Sequence, residues 1–230
     1  MKYLLLSHCF IKDDSEFFKV EIFNFVINYF KSKYKDITII ITGHGIDNFN
    51  HLISSDHLMW IPFTQSEIGY GHPICVEMGY KLAKNLGAKK ILKMRLDSLS
   101  VHEDIFGYCD DILVEEKKEC LITSQTNLNG LIGDLFMYGD IDFLISIWKP
   151  DRWIYNMDGM GNLNNIFHQN YKSSIKEKFS YRDNKSLKWI FLKSDDFQII
   201  KNSNLGEKYE DFLWDKYYGS YINEEFFYNK

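Results

Sequence analysis

Along the first two thirds of the chain, short runs of apolar and β-branched residues alternate with longer stretches whose apolar positions recur every three or four residues. Residues 3–9 read as a central strand, and the turn Lys12-Asp13-Asp14-Ser15 offers an Asp or a Ser to cap the helix that follows. That helix, 16–33, places Phe18, Ile22, Phe25, Val26 and Tyr29 on one face. Residues 37–42 are β-branched almost throughout, the pattern of a strand covered on both faces, so the opening predicts a βαβ unit and a parallel sheet. Gly43-His44-Gly45 then reads as a loop at the end of that strand, where His44 either touches a ligand or is a plain turn residue.

The alternation continues. Residues 58–62 predict a third strand, Gln65 to Pro73 a glycine-punctuated loop, and 74–85 a helix with Val76, Met78, Gly79, Leu82 and Ala83 inward and Gly87 as its C-cap. A fourth strand follows in Lys89-Lys90-Ile91-Leu92-Lys93-Met94-Arg95-Leu96-Asp97, an apolar run that ends in an arginine and an aspartate. Beyond it the pattern predicts a short helix over 103–108, a solvated turn at 115–119 and a strand over 120–125. Next come a strand over 131–139 with one acid, Asp134, inside it, and a helix capped by Asp140 that runs through Trp148. The last third is different in character: a helix over 163–170, a β-hairpin from 186–193 and 197–201, and an aromatic, acidic tail over 209–228.

Composition narrows the class. With 230 residues, 45% of them hydrophobic and 26% charged, the chain has the make-up of a soluble globular protein large enough for a full core. A formal net charge of −5, with basic residues interleaved among acidic ones, argues against nucleic acid as a partner. The four cysteines form no C-x-x-C pair and read as reduced structural thiols, and the N-terminal apolar run is too short for a signal peptide, which together point to the cytoplasm.

Asp97 is the foremost candidate for chemistry. At the C-terminal tip of a parallel strand a carboxylate can hold a divalent cation, and Arg95 can pair with a phosphate or orient the aspartate; a strand-end salt bridge is the alternative. Gly69-Tyr70-Gly71-His72 offers close backbone approach and a ring for stacking, although a plain turn before a helix explains the same residues. Asp134, in an apolar strand, needs a partner, a raised pKa or solvent in a cleft. Asp158, between Met157 and Gly159, reads as a general base or a turn aspartate, and His168 as a metal ligand or a packing residue. No nucleophile elbow occurs.

The βαβ opening, the strand end Leu92-Lys93-Met94-Arg95-Leu96-Asp97 and the later Gly133-Asp134-Leu135-Phe136-Met137-Tyr138-Gly139-Asp140 resemble the WavE-like bacterial lipopolysaccharide and capsule synthesis proteins, which are similar to glycosyltransferases of GT-A type. The resemblance covers residues 1–148. It implies an α/β, Rossmann-like GT-A domain over 1–230: a mostly parallel sheet flanked by helices (1–148) that binds a nucleotide-diphosphate sugar, and an α+β extension (149–230) on the acceptor side. It further implies sugar transfer to a capsule or lipopolysaccharide glycan, in the cytoplasm at the inner face of the membrane, with peripheral membrane or assembly-complex association. Carried over, Asp97 is the Mn2+ or Mg2+ ligand or sugar-diphosphate carboxylate, Arg95 its phosphate-side neighbour, and Asp134 an acid facing the sugar. Asp134 or Asp158 is then the base. One aspartate stands where such enzymes carry two. The rival readings are a nucleotidyl- or phosphoryl-group transferase on a similar scaffold and a non-catalytic accessory protein that docks through its aromatic tail.

Overall fold

A computed structural model of the chain describes residues 1–16, 18–46, 51, 53–62, 68–124, 132–148, 176–183 and 186–192. Its elements, in chain order, are β1 (Lys2–Ile11), α1 (Phe18–Lys33), β2 (Ile37–Gly45), β3 (His57–Ile61), α2 (Ile68–Asn85), β4 (Lys90–Arg95), β5 (Ser98–Ser100), α3 (Ile105–Glu116), β6 (Cys120–Ser124), β7 (Ile132–Asp140), α4 (Ile141–Ile147), β8 (Phe179–Arg182) and β9 (Trp189–Phe191). Seven strands form one sheet in the order β3-β2-β1-β4-β7-β6-β8, and β5 pairs with β9 in a separate ribbon. β7 is antiparallel to both of its neighbours, while the other pairings of the large sheet are parallel. The α/β class and the mostly parallel, helix-flanked sheet thus stand as the sequence led us to expect.

Alternation along the strands divides the core in two. On β1, Leu4 and Leu6 face α1 and α3, in a cluster with Val26, Phe30, Ile105 and Phe106; Tyr3 and Leu5 face α2 and α4, with Val76, Tyr80, Leu144 and Trp148. Burial on both faces is why the strands read as continuous apolar runs. Three close approaches fix the direction of α2 across the sheet. The Cys75 thiol donates to the Gly43 carbonyl (3.4 Å), Gly79 lies against Leu5 and Thr42, and the Tyr3 hydroxyl donates to the Leu86 carbonyl (2.6 Å). The start of α2 therefore stands at the C-terminal edge of the strands.

Several boundaries move. Gly43-His44-Gly45 is not a loop: β2 continues through it, and His44 is buried. Residues 68–73 are the opening turns of α2 rather than a glycine loop. α3 is twice the expected helix, because Cys109, Ile112 and Leu113 continue the buried stripe begun by Ile105 and Phe106; it ends at Lys117, whose φ of 53° is left-handed. Ile22, Val26 and Tyr29 are buried as expected, but Phe18 is 41% exposed, and the buried face of α1 is widened by Val20, Phe23, Ile27 and Phe30. The first arm of the expected hairpin exists as β9, paired with β5. Its second arm, the helix over 163–170 and the tail lie outside the described residues.

Asp140 caps α4 as expected: one carboxylate oxygen accepts from the backbone N–H groups of Asp142 and Phe143, both at 2.9 Å. Asp140→Ala is expected to lower the unfolding free energy by about 1 kcal/mol, read as a shift of the urea midpoint at constant slope; no shift would mean that packing alone positions α4.

Candidate functional site

The connections place β2 and then β3 on one side of β1, and the chain then returns through α2 to place β4 on the other side. α1 covers one face of the sheet and α2 the opposite one. Where successive connections diverge in this way, a crevice opens beyond the carboxyl ends of the two central strands, and in such sheets it is the site that ligands occupy. Here those strands are β1 and β4, and the last residues paired across them are Ser7 and Arg95.

Arg95 and Asp97 close on each other at this edge. The guanidinium Nε donates to Asp97 Oδ1 at 2.8 Å and Nη2 donates to Oδ2 at 2.6 Å, a two-pronged pair with both side chains partly exposed, 24% and 31%. The turn beneath is held from three directions. The Leu96 N–H donates to the Ser7 carbonyl (3.0 Å), the Ser98 hydroxyl to the Arg95 carbonyl (3.0 Å), and the Leu192 N–H to the Asp97 carbonyl (2.9 Å). Trp189 Nε1 in turn donates to Ser98 Oγ (3.2 Å), and Ser100 Oγ to the Leu187 carbonyl (2.6 Å). The β5–β9 ribbon thus clamps the turn that carries Asp97.

Two side chains of this edge escaped the reading from sequence. Ser7, in register with Arg95 on the neighbouring parallel strand and so on the same face, is fully buried, and its hydroxyl has no hydrogen-bond partner among the described residues. Lys93, two positions before Arg95 on the same face, is also fully buried, between Leu5 and Met137 in register and with Nζ 4.9 Å from the Trp148 ring centre. The signal was available: a lysine and a serine each interrupt an apolar run at a position that a covered strand buries. His44 lies in β2 near the same edge, and burial lowers its pKa from 6.5 to about 4, so that it is neutral at pH 7. Burial pushes the Cys75 thiol up to about 12, which removes it as a thiolate nucleophile.

The remaining candidates divide. The backbone of Gly69, Tyr70, Gly71 and His72 is helical, at the start of α2 and therefore at the same edge. Asp134 lies in β7 and, because Met94 pairs with Phe136 in antiparallel register, its position runs toward the end of β4 that carries Arg95. Asp158 and His168 lie outside the described residues. At the opposite edge of the sheet a cavity of about 540 Å³ is lined by Lys2, Tyr3, Lys90, Asp110 and Tyr138. Three of its polar groups engage one another, with Lys90 Nζ at 2.6 Å and the Tyr138 hydroxyl at 2.9 Å from the same Asp110 oxygen.

The donor set at Asp97 does not fit a divalent cation. Both carboxylate oxygens already accept from a cationic side chain. Among the described residues, moreover, no three His, Cys, Asp or Glu side chains gather closely enough to hold a metal ion. Nor, among the described residues, is any helix long and apolar enough to cross a membrane.

No protein-family model matches the chain, and no curated protein matches it in sequence. Several solved structures match it at low identity. A glycosyltransferase involved in the glycosylation of the major capsid of PBCV-1 is 6% identical over 80% of this chain and 83% of its own, with a TM-score of 0.47. The galactosyltransferase LgtC, solved with donor and acceptor sugar analogues, is 11% identical over 92% and 82%, with a TM-score of 0.47. The bifunctional IspDF from Campylobacter jejuni is 11% identical over 86% of this chain and 53% of its own, with a TM-score of 0.49. At these identities and scores the likeness carries no argument about fold or chemistry.

Proposed function

We propose that the chain is a GT-A-type glycosyltransferase that moves a sugar from a nucleotide-diphosphate donor to a capsule or lipopolysaccharide glycan, as its WavE-like resemblance implies. The observation that supports this reading best is the position of Arg95 and Asp97, at the carboxyl edge of the sheet and on the crevice between β1 and β4. In this reading residues 1–148 hold the donor and 149–230 build the acceptor side. Asp134, whose strand runs toward the same edge, and Asp158 are the two proposed bases. The acceptor hydroxyl oxygen bonds to the anomeric carbon as its proton passes to the carboxylate, and the anomeric C–O bond breaks with its electron pair leaving on the diphosphate. The enzyme would work in the cytoplasm, at the inner face of the membrane.

Calorimetric titration of the full chain with a panel of nucleotide-diphosphate sugars tests the reading. One member is expected to bind with a dissociation constant in the range of roughly 1 µM to 1 mM and, on incubation with water as acceptor, to release free sugar slowly. Tighter binding of a nucleoside triphosphate than of any nucleotide sugar would replace sugar transfer with nucleotidyl or phosphoryl transfer. A panel without a single binder would remove the donor site altogether.

A further inference from the structure

The cavity at the amino edge of the sheet lies apart from the Arg95–Asp97 turn and has charges of its own. Its walls come from the first residues of β1 and β4, the turn at Gly87, the far end of β7 and the opening of α3. One set of charges there is closed, because Lys90 and Tyr138 converge on a single Asp110 oxygen. Two other lining groups, of opposite sign, are not.

The first is Lys2. It lies two positions before Leu4, as Lys90 lies two before Leu92, and Leu4 and Leu92 are in register, so the two lysines neighbour each other on one face. Its Nζ stands 5.1 Å from the centre of the Tyr34 ring and 5.9 Å from that of Phe106. Aromatic faces steady an ammonium without neutralising it. Among the described residues no carboxylate pairs with it.

The second is Asp104, at the N-cap of α3. An aspartate there ordinarily turns its carboxylate onto the first N–H groups of the helix, but this one makes no such bond. It lies over Gly107 instead, where an added Cβ would stand 2.5 Å from Oδ2, so the missing side chain is what seats the carboxylate. Among the described residues no cationic side chain pairs with it either.

An ammonium and a carboxylate that line one cavity of about 540 Å³ without closing on each other leave room for a ligand between them. An anion alone would meet Asp104 as a like charge, and a cation alone would meet Lys2 and its neighbour Lys90. We infer that this cavity binds a small zwitterion, with the ligand's acidic group on Lys2 and its ammonium on Asp104. The site is at the opposite edge of the sheet from the proposed sugar transfer and does not depend on that reading.

Straight-chain ω-amino carboxylates, from 3-aminopropanoate to 8-aminooctanoate, are the probes, with hexanoate and hexylamine as singly charged controls. Titrated into the full chain at low salt, one chain length is expected to bind with a dissociation constant on the order of 1 mM and to shift the amide resonances of Gly87 and Gly107. Each control is expected to bind about fivefold more weakly. The variants carry separate signatures. In Lys2→Gln the amino acid is expected to bind no better than hexylamine, and in Asp104→Asn no better than hexanoate, because each substitution removes the partner of one end only. Gly107→Ala, which suits a helix better than glycine does, is expected to weaken binding by displacing the Asp104 carboxylate. Circular dichroism melts establish that the variants fold, and Gly107→Ala carries the test if Lys2→Gln does not. No binding at any chain length, controls that bind as tightly as the amino acids, or resonance shifts away from Gly87 and Gly107 would each overturn the inference.

Discussion

Gly45→Ala is expected to lower the unfolding free energy by about 4 kcal/mol, most of the stability of a marginal domain. Two causes add. Gly45 has φ +111°, a conformation that costs an L-residue about 1–3 kcal/mol. A Cβ built there would lie 2.1 Å from the Ile11 carbonyl oxygen, which cannot swing away because it accepts the Ile46 N–H at 2.9 Å. Gly87→Ala is the matched control. Its φ is +92°, and the nearest atom to an added Cβ, the Tyr3 hydroxyl oxygen, is 3.9 Å away, so only the backbone cost remains, about 1 kcal/mol. Urea denaturation of the two variants isolates the clash as a difference. Equal losses would show that the ends of β1 and β2 separate freely, and that the sheet edge is softer than its hydrogen bonds imply.

His44 makes the protein's stability depend on pH in a defined window. Its pKa falls from 6.5 in the unfolded chain to about 4 in the fold because burial penalises the imidazolium. Between those values the unfolded state binds the proton and the native state does not, so the stabilisation is complete above pH 6.5 and is lost as the pH falls toward 4. The difference amounts to about 3 kcal/mol. Urea midpoints measured from pH 7.5 to 4.5 are expected to fall more steeply for the wild type than for His44→Gln, whose amide keeps polarity without a titrating proton. Parallel curves would show that His44 is protonated in the native state and has a partner for its charge.

Much of the fold was legible because burial on both faces writes itself into β1, β2, β4 and β6 as predominantly apolar runs. Strand direction leaves no such trace. The reversal of β7 is invisible in a run of residues whose two faces are both covered, since antiparallel and parallel pairing bury them alike. The start of α2 was misjudged for a different reason. Gly69, Gly71 and Pro73 have poor helix propensity, but propensity is a weak prior, and the tertiary contacts of Cys75, Gly79 and Tyr80 with the sheet outweigh it. α3 was cut short because residues 115–119 read as a solvated turn, whereas Glu115 and Glu116 are the last, polar turn of one continuous helix.

At the site, the position of Arg95 and Asp97 was legible, since two charges ending an apolar strand mark its tip. Their mutual engagement was one of the readings the sequence left open. The burial of Ser7 left a signal, a serine within an apolar run, but its place beside Arg95 was not legible, because it follows from the register between β1 and β4, a contact between residues far apart in the chain.

That separation also bears on how the protein is made. The carbonyl of Asp97 is held by the N–H of Leu192, and the turn around it by Leu187 and Trp189. A ribosome adding about 5–20 residues per second needs roughly 5–20 s to pass from one partner to the other. During that interval β1, β2 and β4 are already synthesised and β7 is completed, while the arginine–aspartate turn at the sheet's edge lacks its clamp. Assembly of the scaffold and maturation of the edge are therefore separate events in time, the second delayed until the nascent chain has delivered β9.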